Sequence, residues 1–182
     1  MKKILFLLAL FPFLLAMRCV EDDAPCGGFT EIEKPDLITI ENSQPIYNLN
    51  DVIWISSTVD RFQTIPESNT SIDLFTKDEK LSYYIELIKL SAFNDFNYIF
   101  LNENSTIIEQ GEALSNTIIL VKDGEQYKNK IGIKLLESGS YTLKITNVSS
   151  YLVEPVGCNY NVFSMFTDFN GIESNTFAFE VQ

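Results

Sequence analysis

The sequence predicts an all-β domain of antiparallel strands stacked as a sandwich, carried behind a leader and a short tether. Three observations predict it. Short runs dense in Val, Ile, Thr, Tyr and Phe recur along the chain, separated by clusters of Asn, Asp, Gly, Ser and Pro. Two dipeptides, Asp123-Gly124 and Asn170-Gly171, each divide a pair of such runs in the manner of a tight hairpin. Hydrophobic residues make up 46% of the 182 residues and aromatics 13%, with 14 Phe and 8 Tyr, which is enough apolar surface to offset the entropy of ordering one domain.

Residues 1–18 read as a signal peptide. Lys2 and Lys3 precede an apolar stretch from Ile4 to Met17, a length that suits an export signal and is short for a membrane span. Pro12 within it breaks a helix and is better tolerated in a signal than in a stable span. The apolar run ends at Arg18-Cys19, and Glu21-Asp22-Asp23 follow. A leader that ends in cysteine and then turns acidic resembles the bacterial lipoprotein signal, and the acidic triplet is similar to the surface-export signal of Bacteroidetes lipoproteins. The resemblance implies that Cys19 becomes the mature N-terminus and carries the lipid, palmitate included. It further implies that the bilayer is a partner through that residue and that the protein sits at the outer membrane or cell surface. Met17 and Arg18 depart from the small residues of that family. The other reading is an ordinary signal cut after Ala16, which leaves Cys19 as a thiol or disulfide partner.

Lipidation of Cys19 would leave Cys26 and Cys158 to pair. That bridge would close a long loop, worth about 4–5 kcal/mol in the chain-entropy account. A local Cys19–Cys26 bridge is the competing pairing. Residues 19–35 are acidic and carry Pro25, Gly27, Gly28 and Pro35, so they read as a tether.

The domain proper is expected over residues 36–182. Asp36–Glu41, Val52–Val59 and Ser71–Thr76 read as strands, as do Tyr98–Leu101 and Thr106–Ile108. Leu81–Phe93 fits a helical face through Leu81, Tyr84, Ile85 and Ile88, and a strand face through Leu81, Tyr83, Ile85 and Leu87; its neighbours favour strand. Trp54, flanked by Ile53 and Ile55, is expected in the core, and so are the dispersed Phe and Tyr residues. Asn170-Gly171 makes the better hairpin, because Phe177, Phe179 and Val181 then share one face of the last strand.

The run Glu137-Ser138-Gly139-Ser140-Tyr141-Thr142-Leu143 is similar to the corner of immunoglobulin-like domains. There the Tyr hydroxyl bonds back to upstream backbone. The resemblance implies an immunoglobulin-like antiparallel sandwich in which Glu137, Gly139 and Tyr141 form the corner. Leu143 stands where antibody domains carry Cys, so their intersheet disulfide is not expected.

The formal net charge is −12, and with the three basic leader residues set aside 10 basic residues face 25 acidic ones. Such a surface repels phosphate backbones, which excludes nucleic acid as a partner. The chain has no histidine, so His-dependent triads and ordinary zinc sites are out of reach. Asp168, Asn170 and Glu173 are explained by the hairpin without calcium. Asp22/Asp23 and Asp78/Glu79 are the acidic pairs a glycan-acting hydrolase would need, and solvated surface charge explains them as well. Asn69, Asn104 and Asn147 head Asn-x-Ser/Thr triplets of the kind that arise by chance. The reading is therefore a non-enzymatic lipoprotein without cofactor or metal, whose β-sandwich binds a protein or glycan or serves a structural role. The alternative is a secreted hydrolase using paired carboxylates.

Overall fold

The computed structural model describes residues 28–65, 68–90, 95–151, 161–169 and 175–182. The strands in chain order are β1 (Gly28–Glu33), β2 (Ile38–Glu41), β3 (Ile46–Tyr47), β4 (Val52–Asp60), β5 (Phe62–Ile65), β6 (Thr70–Asp73), β7 (Leu81–Leu90) and β8 (Phe96–Ile99). They continue as β9 (Thr106–Gln110), β10 (Glu112–Leu114), β11 (Thr117–Asp123), β12 (Gln126–Lys134), β13 (Gly139–Ile145), β14 (Val148–Ser150), β15 (Asn161–Phe166) and β16 (Thr176–Val181).

The all-β expectation holds, but the strands do not split into two separate sheets. Fourteen of them form one continuous hydrogen-bonded sheet, with the β5–β6 hairpin apart. The sheet curls through three segments. The first runs β1-β15-β14-β7-β11-β10, the second β2-β4-β12 with β11 and β9 sharing the far edge of β12, and the third β3-β16-β13-β7-β8. Two pairs are parallel, β1 with β15 and β3 with β16, so the fold is not purely antiparallel.

β7 explains the curl. Leu81–Tyr84 pair with β11, and Ile85–Leu90 pair with β13 and β8, so one strand serves two segments. The helical alternative for this stretch fails because Leu81, Tyr83, Ile85 and Leu87 all point inward at period two. In β4 the same period buries Ile53, Ile55 and Val59, and in β12 it buries Tyr127, Ile131 and Ile133. Together with Ile38, Phe163 and Phe169 they form one core cluster, in which each fully buried large side chain contributes about 1.5–3 kcal/mol.

Several boundaries differ from expectation for local reasons. Gly28–Glu33, inside the stretch read as tether, form β1 and pair with β15. Ser71–Thr76 does not continue as a strand. Asp73 Oδ1 accepts the Phe75 N–H at 3.0 Å and caps a 3₁₀ turn over Leu74–Thr76, which drops Leu74 into the core. The β11–β12 hairpin is present, but Asp123 pairs with Gln126, so the loop residues are Gly124 and Glu125. Of these only Gly124 has positive φ, at 61°.

Asn170-Gly171 lies outside the described residues, and the strands on either side do not make a hairpin. β15 pairs with β1 along its length and with β14 at Ser164 and Met165. β16 pairs with β13 along its length and with β3 at Glu180 and Val181, so among the described residues β15 and β16 do not pair with each other. Phe179 and Val181 nevertheless point inward together, as the alternation of the last strand requires.

Candidate functional site

The third segment presents its outer face to solvent, and the register defines it. Ile46, Glu180, Ser140, Leu90 and Phe96 stand in one row across five strands, with Ala178, Thr142, Ile88 and Tyr98 in the next. Directly opposed residues share a face. Ile46, Ile88, Leu90, Phe96 and Ala178 line a shallow groove of about 500 Å³, with Glu180 at its margin. The exposures decide that this surface is not core: Phe96 is 69% exposed, Tyr98 60%, Phe100 65% and Leu90 39%. Exposed apolar residues in contiguous rows mark an interaction surface, whereas single ones do not.

β8 brings the aromatic side of this face, and it is pinned from within. Asn116 is buried; its amide nitrogen donates to Ile85 O at 2.8 Å and Ile99 O at 3.0 Å, and its oxygen accepts the Leu101 N–H at 2.9 Å. One side chain thereby ties the end of β8 to β7 and to the start of β11.

The predicted corner residues lie behind the same segment. Tyr141 Oη donates to Glu137 O at 2.8 Å. The Tyr141 ring stacks on Phe179 at 5.4 Å, and burial pushes its phenol up. Gly139 has φ of 143°, and a Cβ there would stand 2.9 Å from Lys89 Cε, so glycine suits both the backbone and the space. Lys89 Nζ pairs with Glu137 Oε2 at 2.7 Å, and that hydrogen bond holds the Glu137 carboxyl below its usual range.

Other predicted residues are placed as follows. Cys19, Cys26, Cys158, Asp22, Asp23, Asn170 and Glu173 lie outside the described residues. Asp168 Oδ1 accepts the Asp36 N–H at 3.3 Å. Asp78 and Glu79 do not converge: Asp78 is 8% exposed, while the Glu79 side chain is 83% exposed and pairs with Lys122 at 2.7 Å. Burial pushes the Asp78 carboxyl above its usual value, against a hydrogen bond from Ser150 and the charge of Lys122. Among the described residues no three His, Cys, Asp or Glu side chains come together as a metal site.

Trp54 corrects a core expectation. Ile53 and Ile55 take the inward positions of β4, which turns Trp54 outward, half-buried, onto Gly132 of β12. A Cβ on Gly132 would lie 3.1 Å from two ring atoms of Trp54 and 2.6 Å from Val52 Cγ1, and Lys130 Nζ sits 5.3 Å from the ring centre. The dispersed aromatics are likewise not all core, since Phe29, Phe62, Phe96, Tyr98, Phe100 and Phe166 are exposed. The exposed apolar face escaped the sequence reading for that reason. Its signal was present in Phe96-Asn97-Tyr98-Ile99-Phe100, where aromatics alternate with other residues and no charge intervenes.

No family model matches the chain, and no curated protein matches it. Among solved structures it is similar to the human F-spondin reeler domain (fragment 1), with a TM-score of 0.38 and 9% identity, over 90% of this chain and 100% of that one. It is also similar to the Reelin-N domain of F-spondin, with a TM-score of 0.37 and 9% identity, over 86% and 93% of the two chains.

Proposed function

We propose that the chain is an exported, non-enzymatic lipoprotein, anchored in the outer membrane or at the cell surface through Cys19, whose β domain acts as a binding module. The observation that carries the binding role is the solvent-facing apolar surface of the third segment, where Leu90, Phe96 and Tyr98 stand side by side instead of facing the core. The anchor rests on the leader and on Cys19-Val20-Glu21-Asp22-Asp23. The immunoglobulin-like reading draws its support from the Tyr141–Glu137 corner. The carboxylate hydrolase finds less support, because the acidic pair Asp78/Glu79 is divided between interior and surface.

Intact-mass analysis of the full chain from bacterial membranes tests the anchor. Wild type is expected to begin at Cys19, carry a lipid-sized increment and pellet with membranes, and Cys19→Ala to lose the increment and the pelleting. A mature chain that begins downstream of residue 19 overturns the anchor. The face is tested separately with a neutral solvatochromic dye on the Cys19→Ala full chain: binding is expected, and Leu90→Glu should abolish it. Absence of dye binding by the folded chain overturns the face.

A further inference from the structure

We infer that the free edge of β8 pairs with β8 of a second copy, antiparallel and about a two-fold axis at Tyr98, so that the third segment continues from one molecule into the next. This rests on the third segment's outer face being the binding surface, and it is independent of the anchor.

The first argument is the direction of the backbone. Ile99 O and Leu101 N both bond to Asn116, on the β7 side of the strand. N–H and C=O groups alternate between the two edges, so those of Phe96, Tyr98 and Phe100 point the other way. Among the described residues, β7 is the only strand that pairs with β8.

The second argument is the lack of protection. Proteins guard exposed edges with charge, proline or a bulge. Of the large sheet's other edge strands, β1 carries Glu31 and Glu33, β2 carries Glu41, β9 carries Glu109, β10 carries Glu112, and β3 follows Pro45. β8 carries no charge and no proline in a chain of net charge −12. Among the described residues, it is the only edge strand of this sheet longer than two residues that carries neither charge nor proline.

The third argument is self-complementarity, which selects a second copy over a foreign strand. A two-fold interface sets residue i against j and j against i. Centred on Tyr98, the register sets Tyr98 against Tyr98 of the other molecule and Phe96 against Phe100 twice, all on the outer face. Aromatic pairs of this kind are favoured across antiparallel strands. Each of these is a hydrogen-bonded pair that exchanges both of its N–H···O bonds. The nearest flanking charges, the two Asp95 side chains, fall at opposite ends, about 20 Å apart at ~3.4 Å per residue. That exceeds the ~8 Å screening length in physiological salt, so the two Asp95 side chains do not oppose each other. Glu103 lies two positions beyond Leu101, the residue set against Asp95, in the turn that follows the strand.

Sedimentation of the Cys19→Ala full chain tests the pairing. A reversible dimer is expected, with self-association weakened at least about tenfold by Tyr98→Lys, which opposes two ammonium groups on the axis. Tyr98→Pro removes only the outward N–H and should give the same loss with an unchanged far-ultraviolet spectrum. In membranes of cells producing the otherwise wild-type chain, Tyr98→Cys is expected to give a disulfide-linked dimer, because a hydrogen-bonded pair holds its Cα atoms about 5.5 Å apart, within disulfide reach. Phe62→Cys, on an exposed strand elsewhere, serves as the control for random collision. A wild-type chain that stays monomeric at every concentration overturns the inference. So does a dimer that tolerates both Tyr98→Lys and Tyr98→Pro, or crosslinking as efficient through Phe62→Cys. None of these results bears on dye binding by Leu90, so the two readings fail separately.

Discussion

Asp78 lies beneath the β5–β6 side of the body, its backbone carbonyl accepting the Tyr127 hydroxyl at 2.7 Å and its Oδ2 buried without a hydrogen-bond partner among the described residues. Burial raises its carboxyl above 3.8, the ordinary value, so the folded state holds this proton to higher pH than the unfolded state does. Between those two values stability falls as pH rises, and above the folded-state value the loss is complete. Asp78→Asn has no charge to bury and keeps an oxygen for Ser150. Its urea midpoint is expected above wild type at pH 7 and without that gain at pH 3. A second residue-scale test uses the chain's single tryptophan. Gly132→Ala forces the Trp54 ring and Val52 off their seat, at a cost of about 1–3 kcal/mol, and the emission maximum of Trp54 should move with it. The outward turn of Trp54 was partly legible, since Ser56 and Thr58 share its parity along β4. Val52-Ile53-Trp54-Ile55 is apolar on both faces, however, and hides the alternation locally.

At the scale of elements, the attachment of β8 turns on Asn116. Asn116→Leu keeps the bulk but leaves Leu101 N, Ile85 O and Ile99 O without their partner, a loss of about 2–4 kcal/mol. Hydrogen exchange should show the Leu101 amide losing protection first, before β12 is affected. Strand existence was readable from pattern for β4, β7, β11, β12 and β13, each of which alternates or is dense in β-branched residues. Pairing was not. Asn170-Gly171 is a sound local hairpin signal, and yet β15 and β16 find their partners elsewhere, because tertiary competition for an edge outweighs a two-residue preference. The strand read at Ser71–Thr76 ends early because Asp73 offers the backbone a cap that the ladder cannot match.

The whole molecule behaves as one body because β7 belongs to two segments of its sheet. Urea unfolding followed by Trp54 fluorescence, which reports on the second segment, is expected to coincide with the far-ultraviolet transition of all strands. Two separated midpoints would mean that the segments come apart independently. The curl itself was not legible, since a strand that changes partners halfway looks in sequence like any other strand. Nor was the parallel seating of β1 on β15 foreseeable, because its residues lay in what read as tether. That seating has a consequence for how the protein is made. About 130 residues must follow β1 before its neighbour exists, which at ~5–20 residues per second is a delay of roughly 6–30 s. The first of the described strands to leave the ribosome is therefore among the last to find its place, and it waits without that neighbour for the whole of that interval.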